Sequence, residues 1–168
     1  MDFVAEIKRK AKALQKSIVL PEGTEERTVQ AAVKIKAEGI AKEVILLGNR
    51  AEIEKTASKK GVSIEGITTI DPSESEWLND FGNEYFELRK KKVDANGNPL
   101  MDRNKALKEI ADPMKFGAMM VHMGKADSMV SGAISSTADM LRAGLTIVKT
   151  AQGSKTASSC FIMDTHDK

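Results

Sequence analysis

Ala126-Asp127-Ser128-Met129-Val130-Ser131-Gly132-Ala133-Ile134-Ser135-Ser136-Thr137-Ala138-Asp139-Met140-Leu141-Arg142 is the stretch that decides the fold. It reads as a short buried strand at Met129-Val130, a turn of small residues, and a helix that opens on hydroxyls. This is the strand–turn–helix step of an α/β protein. It also has the makings of an anion site: free backbone N–H groups at a helix N-terminus, a favourable dipole, and hydroxyls beside them. Arg142 falls about two turns into the helix, on the face of Ser135 and Asp139. Its guanidinium offers planar paired donors to phosphate oxygens. The expected ligand is a phosphate or another small anion. The competing reading pairs Arg142 with Asp139 on a solvated face and makes Ser136 an ordinary cap, in a capping box with Asp139.

The rest of the chain follows the same alternation. Phe3, Ile7, Ala11 and Leu14 recur at helical spacing. Ser17-Ile18-Val19-Leu20-Pro21 is a short buried strand stopped by proline. Thr24 is the expected N-cap of a helix that closes at Gly39. Glu43-Val44-Ile45-Leu46-Leu47-Gly48 is a second strand, followed by a helix over 50–60 that closes at Gly61. Ile67-Thr68-Thr69-Ile70 is a third strand, and residues 74–92 a longer helix. Asp102 is expected to cap a helix through Ile110, and Asp112-Pro113 to open one reaching Met123. The helix after Met129-Val130 is expected to end near Lys149, and residues 156–163 to form a final strand. Strands and helices in this order imply a mostly parallel sheet flanked by helices, an α/β fold.

Composition narrows the function. At 168 residues the chain is long enough for one full domain with a sizeable core. Its net charge of +2 is too weak to argue for nucleic acid, and 4 % aromatic residues leave no base-stacking platform. No apolar run approaches the ~18 residues of a membrane span, and the first residues lack the apolar centre of a signal peptide. The expectation is a soluble cytoplasmic protein that binds neither nucleic acid nor membrane.

Arg89, in Arg89-Lys90-Lys91-Lys92, is either a dipole-stabilised helix-end cation or part of a basic rim for an anionic substrate. Arg27 is either a solvated helix position or a reach over the end of the first strand. His122 lies in an apolar pattern and is read as a partly buried structural histidine; His166 has no partner in sequence. Two isolated histidines without a carboxylate cluster predict no metal site. Cys160, the one cysteine, excludes an internal disulfide and is read as a buried thiol on the last strand. A P-loop, a GxGxxG turn and a nucleophile elbow are all missing from the sequence.

Ile18-Val19-Leu20-Pro21-Glu22-Gly23 with Glu26-Arg27-Thr28, the strand at 43–49, Leu88-Arg89-Lys90-Lys91-Lys92, Asp112-Pro113 with Phe116-Gly117-Ala118-Met119-Met120-Val121, and residues 126–150 together carry a resemblance. The chain closely resembles the first half of the phosphate acetyl/butyryl transferase family. The resemblance spans nearly the whole chain, and residues 129–142 are its most specific part. It implies reversible acyl transfer: acetyl phosphate plus coenzyme A gives acetyl-CoA plus phosphate, with coenzyme A a substrate and no cofactor. It implies a fold like that of isocitrate and isopropylmalate dehydrogenases, with two α/β domains and the active site between them, usually as a homodimer. On that reading residues 1–150 are the first domain and 151–168 the start of a second, truncated one. Arg89 and Arg142 match arginines that hold anionic groups of the substrates; Ser135 and Thr137 match hydroxyls beside the phosphate. The family's aspartate base belongs to the half beyond Lys168, so the resemblance assigns no base here, and neither Asp127 nor Asp139 is given that role. The family motif continues with proline after the arginine, where this chain has Ala143-Gly144. Two further readings stand beside the acetyl one: a butyryl-specific enzyme, and a non-catalytic anion-binding regulatory domain of the same fold.

Overall fold

The computed structural model describes residues 2–160 and 162–163. Four strands, β1 (Ser17–Leu20), β2 (Glu43–Leu47), β3 (Thr68–Ile70) and β4 (Ser128–Met129), form one parallel sheet in the order β3-β2-β1-β4. Seven helices among the described residues surround it: α1 (Phe3–Leu14), α2 (Glu26–Ala37), α3 (Arg50–Lys59), α4 (Leu78–Arg89), α5 (Arg103–Ile110), α6 (Pro113–His122) and α7 (Thr137–Ala143). A π-helical segment, Gly144–Val148, continues α7.

The alternation of side chains along β2 explains the layers. Val44 and Leu46 point to one face, where they meet Val29 and Ala32 of α2 and Ile53 and Ala57 of α3. Ile45 and Leu47 point to the other, into a larger core with Phe81 and Tyr85 of α4, Ala106 and Ile110 of α5, and Phe116, Met119 and Met120 of α6. Both faces are covered, as a parallel sheet requires. Gly117 lets α6 come close to the sheet: a Cβ there would lie 3.0 Å from the Met129 sulfur and 3.4 Å from Leu47 Cδ1.

Several boundaries differ from expectation for local reasons. Glu25, not Thr24, caps α2, its carboxylate accepting from the Thr28 N–H. The longer helix is trimmed to α4, because Asp71 binds Ser73 in a turn before it and the Lys92 N–H closes a turn on the Arg89 carbonyl after it. The expected strand over 156–163 does not form among the described residues, and Phe161 lies outside them, as does His166. Residues 151–160 are exposed, so no burial offsets the entropy of ordering them into a strand. Cys160 is accordingly exposed rather than buried.

Candidate functional site

The chain runs outward from β1 to β2 to β3, then returns to place β4 on the other side of β1. This reversal is a topological switch point, and in open α/β sheets ligands bind outside the carboxyl ends of the strands there. The loops that meet at it are Pro21-Glu22-Gly23 after β1 and residues 130–136 after β4.

The turn 132–135 gathers four successive backbone N–H groups, the arrangement that favours an anion. The anion that meets them belongs to the chain itself. Gly132 and Ala133 donate to Glu22 Oε2 at 2.9 and 2.8 Å; Ile134 and Ser135 donate to Glu22 Oε1 at 2.9 and 2.7 Å. The sequence reading places an external anion at the helix N-terminus; these four donors lie in the turn just before it, ahead of the Ser136 cap. Glu22 is only 7 % exposed. Burial raises its pKa, but the N–H donations of Ile134, Ala133 and Ser135 outweigh that and hold the carboxyl at about 2. Arg27, whose guanidinium pairs with Glu25, also donates to the Ala133 carbonyl, so the same loop is gripped from a second side.

The sign of the Glu22 shift sets an acid prediction. Its carboxyl is depressed on folding, so its contribution is fully present above the ordinary value of 4.5 and is lost as pH falls toward about 2. The contribution is on the order of 3 kcal/mol. Urea midpoints measured at neutral pH and near pH 3 should converge between wild type and Glu22→Gln. A gap that stays constant across that window would rule the contribution out.

Ser135 and Arg142 line one cavity of about 370 Å³, together with Lys108, Glu109, Lys115 and Asp139. Neither Arg89 nor Thr137 is in its wall. A second cavity of about 410 Å³ opens over the carboxyl ends of β1, β2 and β3. The two adjoin, since both are lined by Asp112, Met114 and Ser135. Arg142 is 68 % exposed and donates to Asp139 at 3.1 Å, the i,i+3 pair of the competing reading. That pair leaves the guanidinium at the cavity mouth, and an exposed pair of this kind contributes little to stability. Ser136 caps α7, accepting from the Asp139 N–H at 3.2 Å while its hydroxyl donates to the Asp139 carboxylate at 2.7 Å. Thr137, the first residue of α7, is exposed.

Arg89 sits in the last turn of α4, with a buried Nε that has no hydrogen-bond partner among the described residues. Its charge acts on Tyr85. Burial, with Glu109 beside it, pushes the Tyr85 hydroxyl up to about 12 despite Arg89. That hydroxyl donates to Glu109 at 3.0 Å, and Glu109 takes Lys115 Nζ at 2.8 Å. Arg89 does not line the Arg142 cavity; Glu109 and Lys115 of this network do. Asp127 lies at the amino ends of the strands: its carboxylate accepts from the Ser17 N–H and from Lys16 Nζ, each at 2.8 Å. It is at the opposite end of the strands from the cavity over their carboxyl ends. His122 meets Glu84 at 3.0 Å. No helix among the described residues is long and apolar enough to cross a membrane.

The profile of the phosphate acetyl/butaryl transferase family matches residues 2–168. The chain belongs to that family. It is 44 % identical to a phosphate acetyltransferase of Treponema pallidum over 167 residues, covering 99 % of this chain and 48 % of that protein. It is 46 % identical over 164 residues to one from Thermoanaerobacterium thermosaccharolyticum, covering 98 % and 47 %. Among solved structures, a phosphotransacetylase from Streptococcus pyogenes superposes with a TM-score of 0.80 at 36 % identity, covering 91 % of this chain and 45 % of that one. The chain spans about half the length of the curated relatives it matches. Membership in the family confirms the resemblance read from residues 126–150 and the parallel α/β architecture read from the strand pattern.

Glu22 was the residue that sequence reasoning missed. One signal was available: an acid at the carboxyl end of the first strand, flanked by proline and glycine, where a helix follows without needing it as a cap. Its partners are 110 to 113 positions away, beyond any local pattern.

Proposed function

We propose that this chain forms the acyl-phosphate side of a phosphate acetyltransferase, which moves an acetyl group reversibly between acetyl phosphate and coenzyme A. The observation that carries this reading is the convergence of Ser135 and Arg142 on one cavity at the switch point of a sheet shared with the family. Attack of a thiolate on the acyl carbon builds negative charge on the carbonyl oxygen and expels phosphate. A guanidinium at the cavity mouth stabilises that charge and orients the acyl donor. Ser135 adds a hydroxyl to the phosphate side. Residues 1–150 act as the first domain and 151–168 as the start of the second, with coenzyme A as substrate, no cofactor, and a cytoplasmic homodimer as the working form.

The test is acetyl phosphate binding to this chain by titration calorimetry, wild type beside Arg142→Ala. A charge-assisted contact removed at the cavity mouth should weaken binding by about tenfold or more. Equal affinity in the two proteins would remove Arg142 from the site. Butyryl phosphate in the same titration reads acyl preference, and a coenzyme A-dependent acetyl-transfer assay shows whether this chain turns over by itself.

A further inference from the structure

We propose that Glu22 is a positioning residue of the acyl-phosphate site, a built-in anion around which the turn 132–135 is moulded so that Ser135 faces the cavity. The inference rests on the reading of that cavity given above.

Four backbone N–H groups that point to one spot repel one another unless a negative charge meets them. Glu22 supplies it from a different loop, with each oxygen taking two donors at 2.7–2.9 Å. The turn it shapes is not one a side chain readily adopts by itself: Gly132 has φ of 115°, and a Cβ there would stand 3.1 Å from the Met140 sulfur. The last of the four donors is Ser135, a residue that lines both cavities. The next residue is Ser136, the cap of α7, which carries Arg142. The Glu22 carboxylate therefore sets the starting point of every α7 group that faces the cavity. Its carboxyl, held at about 2, keeps its charge throughout the neutral range, so the mould is permanent rather than a switch. It also means that a substrate phosphate does not use these four donors; it meets the cavity wall at Ser135 and Arg142 instead.

The test uses the full chain as Glu22→Gln and Glu22→Ala. Amide hydrogen exchange at Gly132, Ala133, Ile134 and Ser135 reads the mould directly, and acetyl phosphate titration reads the site. Both variants should lose protection at the four amides and bind acetyl phosphate about tenfold more weakly. Added formate should restore protection and affinity in Glu22→Ala, where it refills the carboxylate position, and not in Glu22→Gln, whose amide occupies that space. A residue that matters only for stability would show no such selective rescue. Unchanged amide protection, or lost protection with undiminished affinity, overturns the proposal. If the wild type itself fails to bind acetyl phosphate, the functional reading falls, and the positioning role with it. The exchange data would still separate that failure from a turn that never depended on Glu22.

Discussion

Gly23→Ala is expected to lower the unfolding temperature by roughly 10 °C, the loss that a strongly overpacked methyl brings to a chain of this size. Gly23 lies where the loop after β1 crosses the end of β2. Its N–H donates to the Leu47 carbonyl at 3.1 Å, extending the β1–β2 pairing by one bond. A Cβ there would stand 2.4 Å from the Leu47 carbonyl oxygen and 3.0 Å from the Leu47 nitrogen. Both obstacles are backbone of a central strand, so neither can swing away as a side chain tip would. Relief requires the two strands to part, which breaks the bond and shifts Glu22, the adjacent residue. Gly144→Ala is the matched control. A Cβ at Gly144 meets nothing within 4 Å and its backbone is helical, so the same methyl should stabilise by about 0.5–1 kcal/mol. Thermal unfolding of the two variants side by side decides the matter. A Gly23→Ala protein that melts with wild type would show that the strand ends are looser than the geometry describes.

Phe116→Ala is expected to cost about 3–5 kcal/mol, the range for removing a large aromatic side chain from a closed core. Phe116 is fully buried on the face of α6 that meets the sheet, and its ring lies 4.8 Å from that of Phe81 on α4. Phe81 in turn stacks at 5.9 Å with Trp77. The side chain therefore fastens α4 and α6 to each other and to Ile45 and Leu47 of β2. Gly117 already brings α6 close to the sheet, which leaves little room for the surroundings to collapse into the space. Urea titration should move the midpoint to markedly lower denaturant in Phe116→Ala, and by much less in Phe116→Leu. Similar midpoints for the two would argue that the core repacks freely.

The parts of the fold that were legible in the sequence are those with short-range causes. Val44 to Leu47 announce a buried strand because both faces of a parallel strand must be apolar. Gly39, Gly61 and Gly124 close helices where the backbone needs positive φ, and all three have it. Asp102 and Asp112 cap the helices expected of them. What failed also has a physical reason. The apolar run around Cys160 looks like a strand, but a strand is a pairing, and the described residues there lie exposed without one. Ser135 and Arg142, expected on one helix face, line one cavity, although Ser135 stands before the Ser136 cap and outside α7. Arg89 was legible as a cation but not in its place, since it stands in the last turn of α4 outside the Arg142 cavity. The occupant of the N–H groups was illegible because a charge can come from anywhere in the chain.

The place of β4 has a consequence for how the molecule is assembled. β1 and β2 meet across a short stretch of chain, so their pairing and the packing of α2 upon them require little loop closure. The contact of β4 with β1, and of the turn 132–135 with Glu22, closes a loop of about 110 residues. Closure entropy grows with loop length, and contacts this distant in sequence slow folding. During synthesis the first three strands and their helices emerge and can settle while the partner of Glu22 is still unmade. The crevice therefore cannot close before residues 128–135 are made, and until it closes the Glu22 carboxylate stays in water, at its ordinary affinity for a proton.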